Sequence, residues 1–183
     1  MAAAEAAVAL VCTDPVAAGE AARRVLAAGD NPRAQAVAHR ALGLALAETE
    51  ELAASVRSLR RAVTLARRHG LSGAEAGARL SLAGVLSRRG DTTAALRELD
   101  VAATLARGVD AARVHAQRGL VLSRTGDYAA AMASYRAGLP GLRRCGDHRF
   151  IALVLLNRGT LQAWRGRTGA AARDLRECLQ LAT

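Results

Sequence analysis

A chain of 183 residues is long enough to bury a real core, as one ordinary domain or one short solenoid. Hydrophobic residues make up 51% of it, aromatic residues only 2%, and 45 positions are alanine, a composition that favours helix almost everywhere and argues against strands. The net charge is +10, with 26 arginines and no lysine. That bias is typical of GC-rich bacterial genomes, and it permits acidic or nucleic-acid partners without selecting either.

The chain opens with MAAAEAAVALVCTDP, which has no basic leader, carries Glu5 and holds too short an apolar run for a signal peptide. No segment reaches transmembrane length. The cysteines, Cys12, Cys145 and Cys178, are odd in number and far apart, so they form no disulfide framework. The expectation is a cytoplasmic protein.

Beyond this start, glycines followed by helix N-caps punctuate the chain at Gly29-Asp30-Asn31-Pro32, Gly70-Leu71-Ser72, Gly108-Val109-Asp110 and Gly146-Asp147. Pro32 suits a first helical position, and Ser72 with Glu75 reads as a capping box. Between these lie a second set of turns at Asp14-Pro15, Thr49-Glu50-Glu51, Gly90-Asp91, Gly126-Asp127 and Gly166-Arg167. The punctuation predicts an all-α chain of about ten helices in five hairpins, with turns near residues 13, 30, 49, 71, 90, 109, 126, 146 and 166. The units are 2–29 (partial), 31–70, 72–108, 110–146 and 147–183, all within a single domain spanning 1–183.

Register supports a repeat. Gly43, Ala83, Gly119 and Gly159 fall in one column, followed seven residues later by Glu50, Gly90, Gly126 and Gly166. Next come Ser55, Ala95, Ala131 and Ala171, then Leu59, Leu99, Tyr135 and Leu175, then Ala62, Ala102, Gly138 and Cys178. Small residues midway along the first helix are expected to face small residues on the second, with the large residue filling the flank. Hairpins of this kind cannot bury their apolar faces alone and must stack on neighbours.

This order of residues, with its Gly-Asp-Tyr turn at 126–128, resembles the tetratricopeptide repeat over nearly the whole chain. The units are longer than usual, and the early aromatic is replaced by His39, Arg79, His115 and Leu155. Alanine- and arginine-rich units of this style resemble the arrays of large bacterial proteins, those with a caspase-like (CHAT) domain or the MalT-like regulators. The resemblance implies a right-handed α-solenoid whose first helices line a concave, partner-binding groove. The last helix carries Leu175, Leu179 and Leu181 with no polar capping helix after it. Further repeats or a covalently linked C-terminal effector domain are therefore expected in the native protein.

No catalytic, cofactor or metal constellation is apparent. The one close Cys–His pair, Cys145 and His148, spans a turn and has no second cluster to complete a zinc site. It reads as a buried small thiol beside an exposed cap histidine. The expectation is therefore a non-enzyme. Carrying over the family's groove columns gives Arg40, Leu44 and Arg88 in the earlier units, and Arg113, Gln117, Leu120 and Arg124 in the next. The last unit adds Asn157, Thr160 and Trp164. Trp164 shares a column with Glu48, Arg88 and Arg124, so at least partial exposure is expected. An apolar floor edged with arginine suits an acidic or amphipathic protein or peptide partner. The alternative is a nucleic-acid-associated regulator using the basic surface. Against it, the arginines come in doublets such as Arg60-Arg61 without interleaved aromatics, and its binding would weaken steeply with salt.

Overall fold

The computed structural model describes residues 1–29 and 31–181. Among them there are ten α-helices and no strand, joined by turns of a few residues. The helices are α1 (Ala2–Leu10), α2 (Pro15–Ala27), α3 (Pro32–Glu48), α4 (Leu52–Arg68) and α5 (Ser72–Arg88). They continue with α6 (Thr92–Leu105), α7 (Gly108–Arg124), α8 (Tyr128–Arg144), α9 (His148–Trp164) and α10 (Thr168–Gln180). The fold is all-α, of the α-solenoid class. Asp30, in one of the expected turns, and Ala182 and Thr183, at the end of the last expected unit, lie outside the described residues.

The chain divides into two compact units, Met1–Ala106 and Arg107–Thr183. In the first, α3 packs on α1, α2, α4 and α5, while α5 packs on α4 and α6. In the second, α9 packs on α7, α8 and α10, and α7 on α8. Within each unit, then, a helix touches its hairpin partner, and all but α6 and α10 also touch an adjoining hairpin.

The turns follow the local chemistry read from the sequence, with two exceptions. Asp14, Asn31, Asp91, Asp127 and Asp147 each accept backbone N–H groups from the helix they open. Ser72 does not cap: Leu71 holds the N-cap position, and the Glu75 side chain turns inward to Arg79 at 2.8 Å. Pairing with a buried guanidinium outweighs a cap bond open to water. Asp110 does not cap either. Ala106 and Arg107 are extended and α7 starts at Gly108, which places Asp110 in the first turn, where it accepts from Arg113 at 3.1 Å. The column Glu50, Gly90, Gly126 and Gly166 shares one backbone shape, with φ of 62°, 83°, 82° and 70°. Glu50 therefore adopts without glycine's freedom a conformation that disfavours a Cβ.

The seam between paired helices is closer than small-against-small packing. A Cβ placed on Gly43 would stand 2.6 Å from Leu59 Cγ and 3.2 Å from the Ser55 carbonyl oxygen. A Cβ on Gly159 would meet Leu175 Cγ at 3.1 Å. The large side chain thus lies over the glycine itself rather than on its flank. Ser55, the one hydroxyl in the alanine column, is fully buried and donates to the Gly43 carbonyl at 2.6 Å, which removes the penalty of burying it. The core of Met1–Ala106 is largely alanine, whereas Arg107–Thr183 builds its core around Tyr135, Leu139, Leu142, Ile151, Val154 and Leu155.

Candidate functional site

The residues expected to line a groove lie on the first helix of each hairpin. In Met1–Ala106 these are Arg40 and Leu44 on α3 and Arg88 on α5, two helices that pack together. Leu44 is half-buried against the cluster of Val11, Ala18 and Ala45. The Arg40 guanidinium lies across Gly77, where a Cβ would come within 2.8 Å of Nη1, and its Nε donates to Ser81 Oγ at 3.0 Å. Arg88 bridges Glu50 at 2.7 Å and Glu48 at 4.0 Å. These arginines clamp one hairpin to the next.

In Arg107–Thr183 the corresponding face is built by α7, with Arg113, Gln117, Leu120 and Arg124, and by α9, with Asn157, Thr160 and Trp164. Arg113 donates through Nε to Asp147 Oδ2 at 2.6 Å and through Nη1 to Asp110, and its guanidinium sits 5.6 Å from the centre of the Phe150 ring. Burial pulls its pKa down, but the hydrogen bonds it donates to Asp147 and Asp110, with the charges of those carboxylates, outweigh that and leave it raised, so the group is a fixed cation. Asp147 thereby serves twice, since its other oxygen caps α9 at Phe150. Leu120 is partly buried against the core. Asn157 and Thr160 donate back to the Leu153 and Leu156 carbonyls of their own helix.

Trp164 ends α9 and is 72% exposed, matching the column argument. Its ring meets Tyr128 edge-on, with centroids 6.4 Å apart and planes at 69°. Tyr128 opens α8 and is 39% exposed. Sequence reasoning read Gly126-Asp127-Tyr128 as a turn and missed this partner, although the Gly-Asp-Tyr triplet was itself the available signal. Leu156 on α9 is also exposed, at 49%. The arrangement is an exposed aromatic pair beside half-buried aliphatic and amide groups, suited to contact rather than to bond-making.

Chemistry elsewhere is sparse. Cys145 ends α8 and is exposed rather than buried, and His148 across the turn is exposed too. Capping positions at a helix–helix turn face solvent, which overrides the usual burial of a thiol. Among the described residues no group of three or more His, Cys, Asp or Glu is placed to hold a metal ion. No described helix is long and apolar enough to cross a membrane.

With this geometry in place, residues 112–139 match the family model of the tetratricopeptide repeat. That stretch holds Gly119, the Gly126-Asp127 turn, Ala131 and Tyr135. A repeat of this class in a helical-hairpin fold supports a protein–protein interaction scaffold in general. Among solved structures, the crystal structure of MamA is similar, with 20% identity and a TM-score of 0.61, covering 93% of this chain and 90% of that one. At that identity the likeness is one of fold. No curated protein matches.

Proposed function

We propose that the chain is a non-enzymatic scaffold that holds a protein or peptide segment on its first-helix faces, as one part of a larger regulatory protein. The carrying observation is Trp164, a large rigid ring left 72% exposed at the end of α9 and braced by Tyr128. Exposed tryptophans are over-represented among residues that dominate binding energy, because one side chain with little rotamer freedom covers a large area. Leu156, also exposed, and the half-buried Leu153 lie on the same helix, about two and three turns before it. The groove arginines contribute less than their number implies, since Arg88 and Arg113 already hold carboxylates of the same chain.

The test is recovery of the native partner by pull-down, followed by its titration against the wild type and Trp164→Ala. Helical content should be unchanged, and affinity should fall by about 2 kcal/mol or more. Equal affinity of the two proteins refutes the role of Trp164. A binding constant that collapses as salt rises would instead support the nucleic-acid reading.

A further inference from the structure

The repeat columns let one joint between hairpins serve as the template for another. Inside each compact unit, the first helix of a following hairpin lies against both helices of the hairpin before it: α5 on α3 and α4, and α9 on α7 and α8. The side chains it covers fall in fixed columns. On the second helices, Val63 of α4 and Leu139 of α8 stand four residues after Leu59 and Tyr135, and both are buried. On the first helices, Arg40 of α3 and Ala116 of α7 stand three residues before Gly43 and Gly119. Arg40 lies across Gly77 of α5. Ala116 is fully buried, in one cluster with Leu139 and with Ile151, Val154 and Leu161 of α9.

In the last hairpin the same two columns hold Leu156 on α9 and Leu179 on α10, and both are bare, Leu179 at 68%. The two helices meet beside them. Cys178 Sγ donates to the Ala152 carbonyl oxygen at 3.4 Å, one residue from Leu179 and about one turn from Leu156. Asn157 and Thr160, the polar neighbours of Leu156, spend their donors on their own helix. An extended segment laid here would bury peptide groups against leucine, whereas a helix satisfies its own. At the preceding joint the occupant is such a helix, with Ile151, Val154 and Leu161 along one face.

The same template fixes a charge. Arg136 of α8 and Arg158 of α9 line one hollow at the preceding joint. The column of Arg136 holds Arg176 on α10, whose Nε donates to the Ala172 carbonyl at 3.1 Å and which no carboxylate among the described residues pairs. Both carboxylates of α10 are taken, Asp174 by Arg158 and Glu177 by Arg143. A second copy docked end to end on this face would set Arg176 against its own like, which disfavours that occupant.

We propose that the face formed by α9 and α10 docks an amphipathic α-helix of another protein, apolar toward Leu156 and Leu179 and carrying an acidic residue where α9 carries Arg158. This rests on the scaffold reading above, and adds to it a second helix and the form of the partner.

The probe is a fluorescein-labelled peptide of residues 147–163 with Arg158→Glu, titrated into the full chain and followed by anisotropy. It should bind and gain helix by circular dichroism. Its Val154→Pro version, which cannot complete the helix, should bind about tenfold more weakly or worse. Leu156→Asp with Leu179→Asp in the protein, both exposed positions, should weaken the probe by about tenfold or more while the protein keeps its helical signal. The unchanged 147–163 peptide should bind about threefold more weakly than the probe, and Arg176→Glu in the protein should reverse that order. Equal binding of the proline version would overturn the proposal in favour of an extended segment. Affinity unmoved by the two aspartates, or an order that Arg176→Glu leaves unreversed, would overturn the docking face. Self-association of the wild type that the aspartates abolish would give the face to a second copy. After any of these failures, a native partner lost on Trp164→Ala would leave the scaffold reading standing.

Discussion

Gly119→Ala is the sharpest probe of the seam, because helix propensity and packing pull in opposite directions there. Removing a mid-helix glycine from α7 should by itself stabilise the helix by about 1 kcal/mol. A new Cβ, however, would stand 2.6 Å from Cδ1 and 3.0 Å from Cζ of Tyr135, a side chain with 0% exposure. Carbon atoms pack comfortably at roughly 3.5–4.0 Å, so the ring must move by about 1 Å in a filled core. Overpacking of that order costs about 1–3 kcal/mol, and with a buried aromatic ring in the way the upper part of that range applies, leaving a net loss of up to about 2 kcal/mol. Tyr135→Leu alone should also destabilise, by leaving space above Gly119 and deleting the hydroxyl that reaches Ser123 at 3.5 Å. Combining the two recreates a pairing that the chain already uses, since Ala83 and Leu99 hold the same columns in α5 and α6 and both are fully buried. The double variant should therefore be more stable than the sum of the single losses by about 1–2 kcal/mol. Urea unfolding followed by far-UV circular dichroism measures all four corners of the cycle. Additivity within about 0.5 kcal/mol would refute the contact between glycine and ring.

Ala131→Leu, at a fully buried position on α8, should lower stability by about 1–3 kcal/mol, and a melting temperature equal to wild type would remove Ala131 from the helix crossing. Glu75→Ala should cost about 1.5–3 kcal/mol, because it removes a charge-assisted hydrogen bond between side chains only 10% exposed while Arg79 keeps its second carboxylate, Glu98 at 2.6 Å; Glu20→Ala, whose pair with Arg24 is open to water at 3.9 Å, should change thermal stability by less than about 1 kcal/mol. His39 has its pKa lowered from 6.5, first by burial and then by the nearby Arg61 guanidinium. The unfolded chain then takes up the proton first, so stability should hold above about pH 6.5 and decline as pH falls below it; His39→Gln should flatten that part of a melting-temperature profile.

The helices were legible because glycine, aspartate and alanine act locally. A Gly-Asp pair both stops one helix and caps the next, and Asp91, Asp127 and Asp147 do so as read. Ser72–Glu75 and Asp110 were misread because their side chains found partners in space, Arg79 and Arg113, that no local rule anticipates. Of the site, the exposure of Trp164 followed from the charged residues in its column. Its contact with Tyr128 did not, because the two rings come from different hairpins.

The distribution of aromatic rings has an optical consequence. Tyr128, Tyr135, Phe150 and Trp164 all belong to Arg107–Thr183, and Met1–Ala106 contains none. Near-ultraviolet absorption and intrinsic fluorescence therefore report on the second unit alone, and the red-shifted emission of a solvated indole reports chiefly on the end of α9. Far-UV circular dichroism, by contrast, weighs helices in both units. Unfolding the unlabelled protein and following both signals separates the two halves by colour: coincident midpoints mean that they melt together, and a gap between them times one against the other.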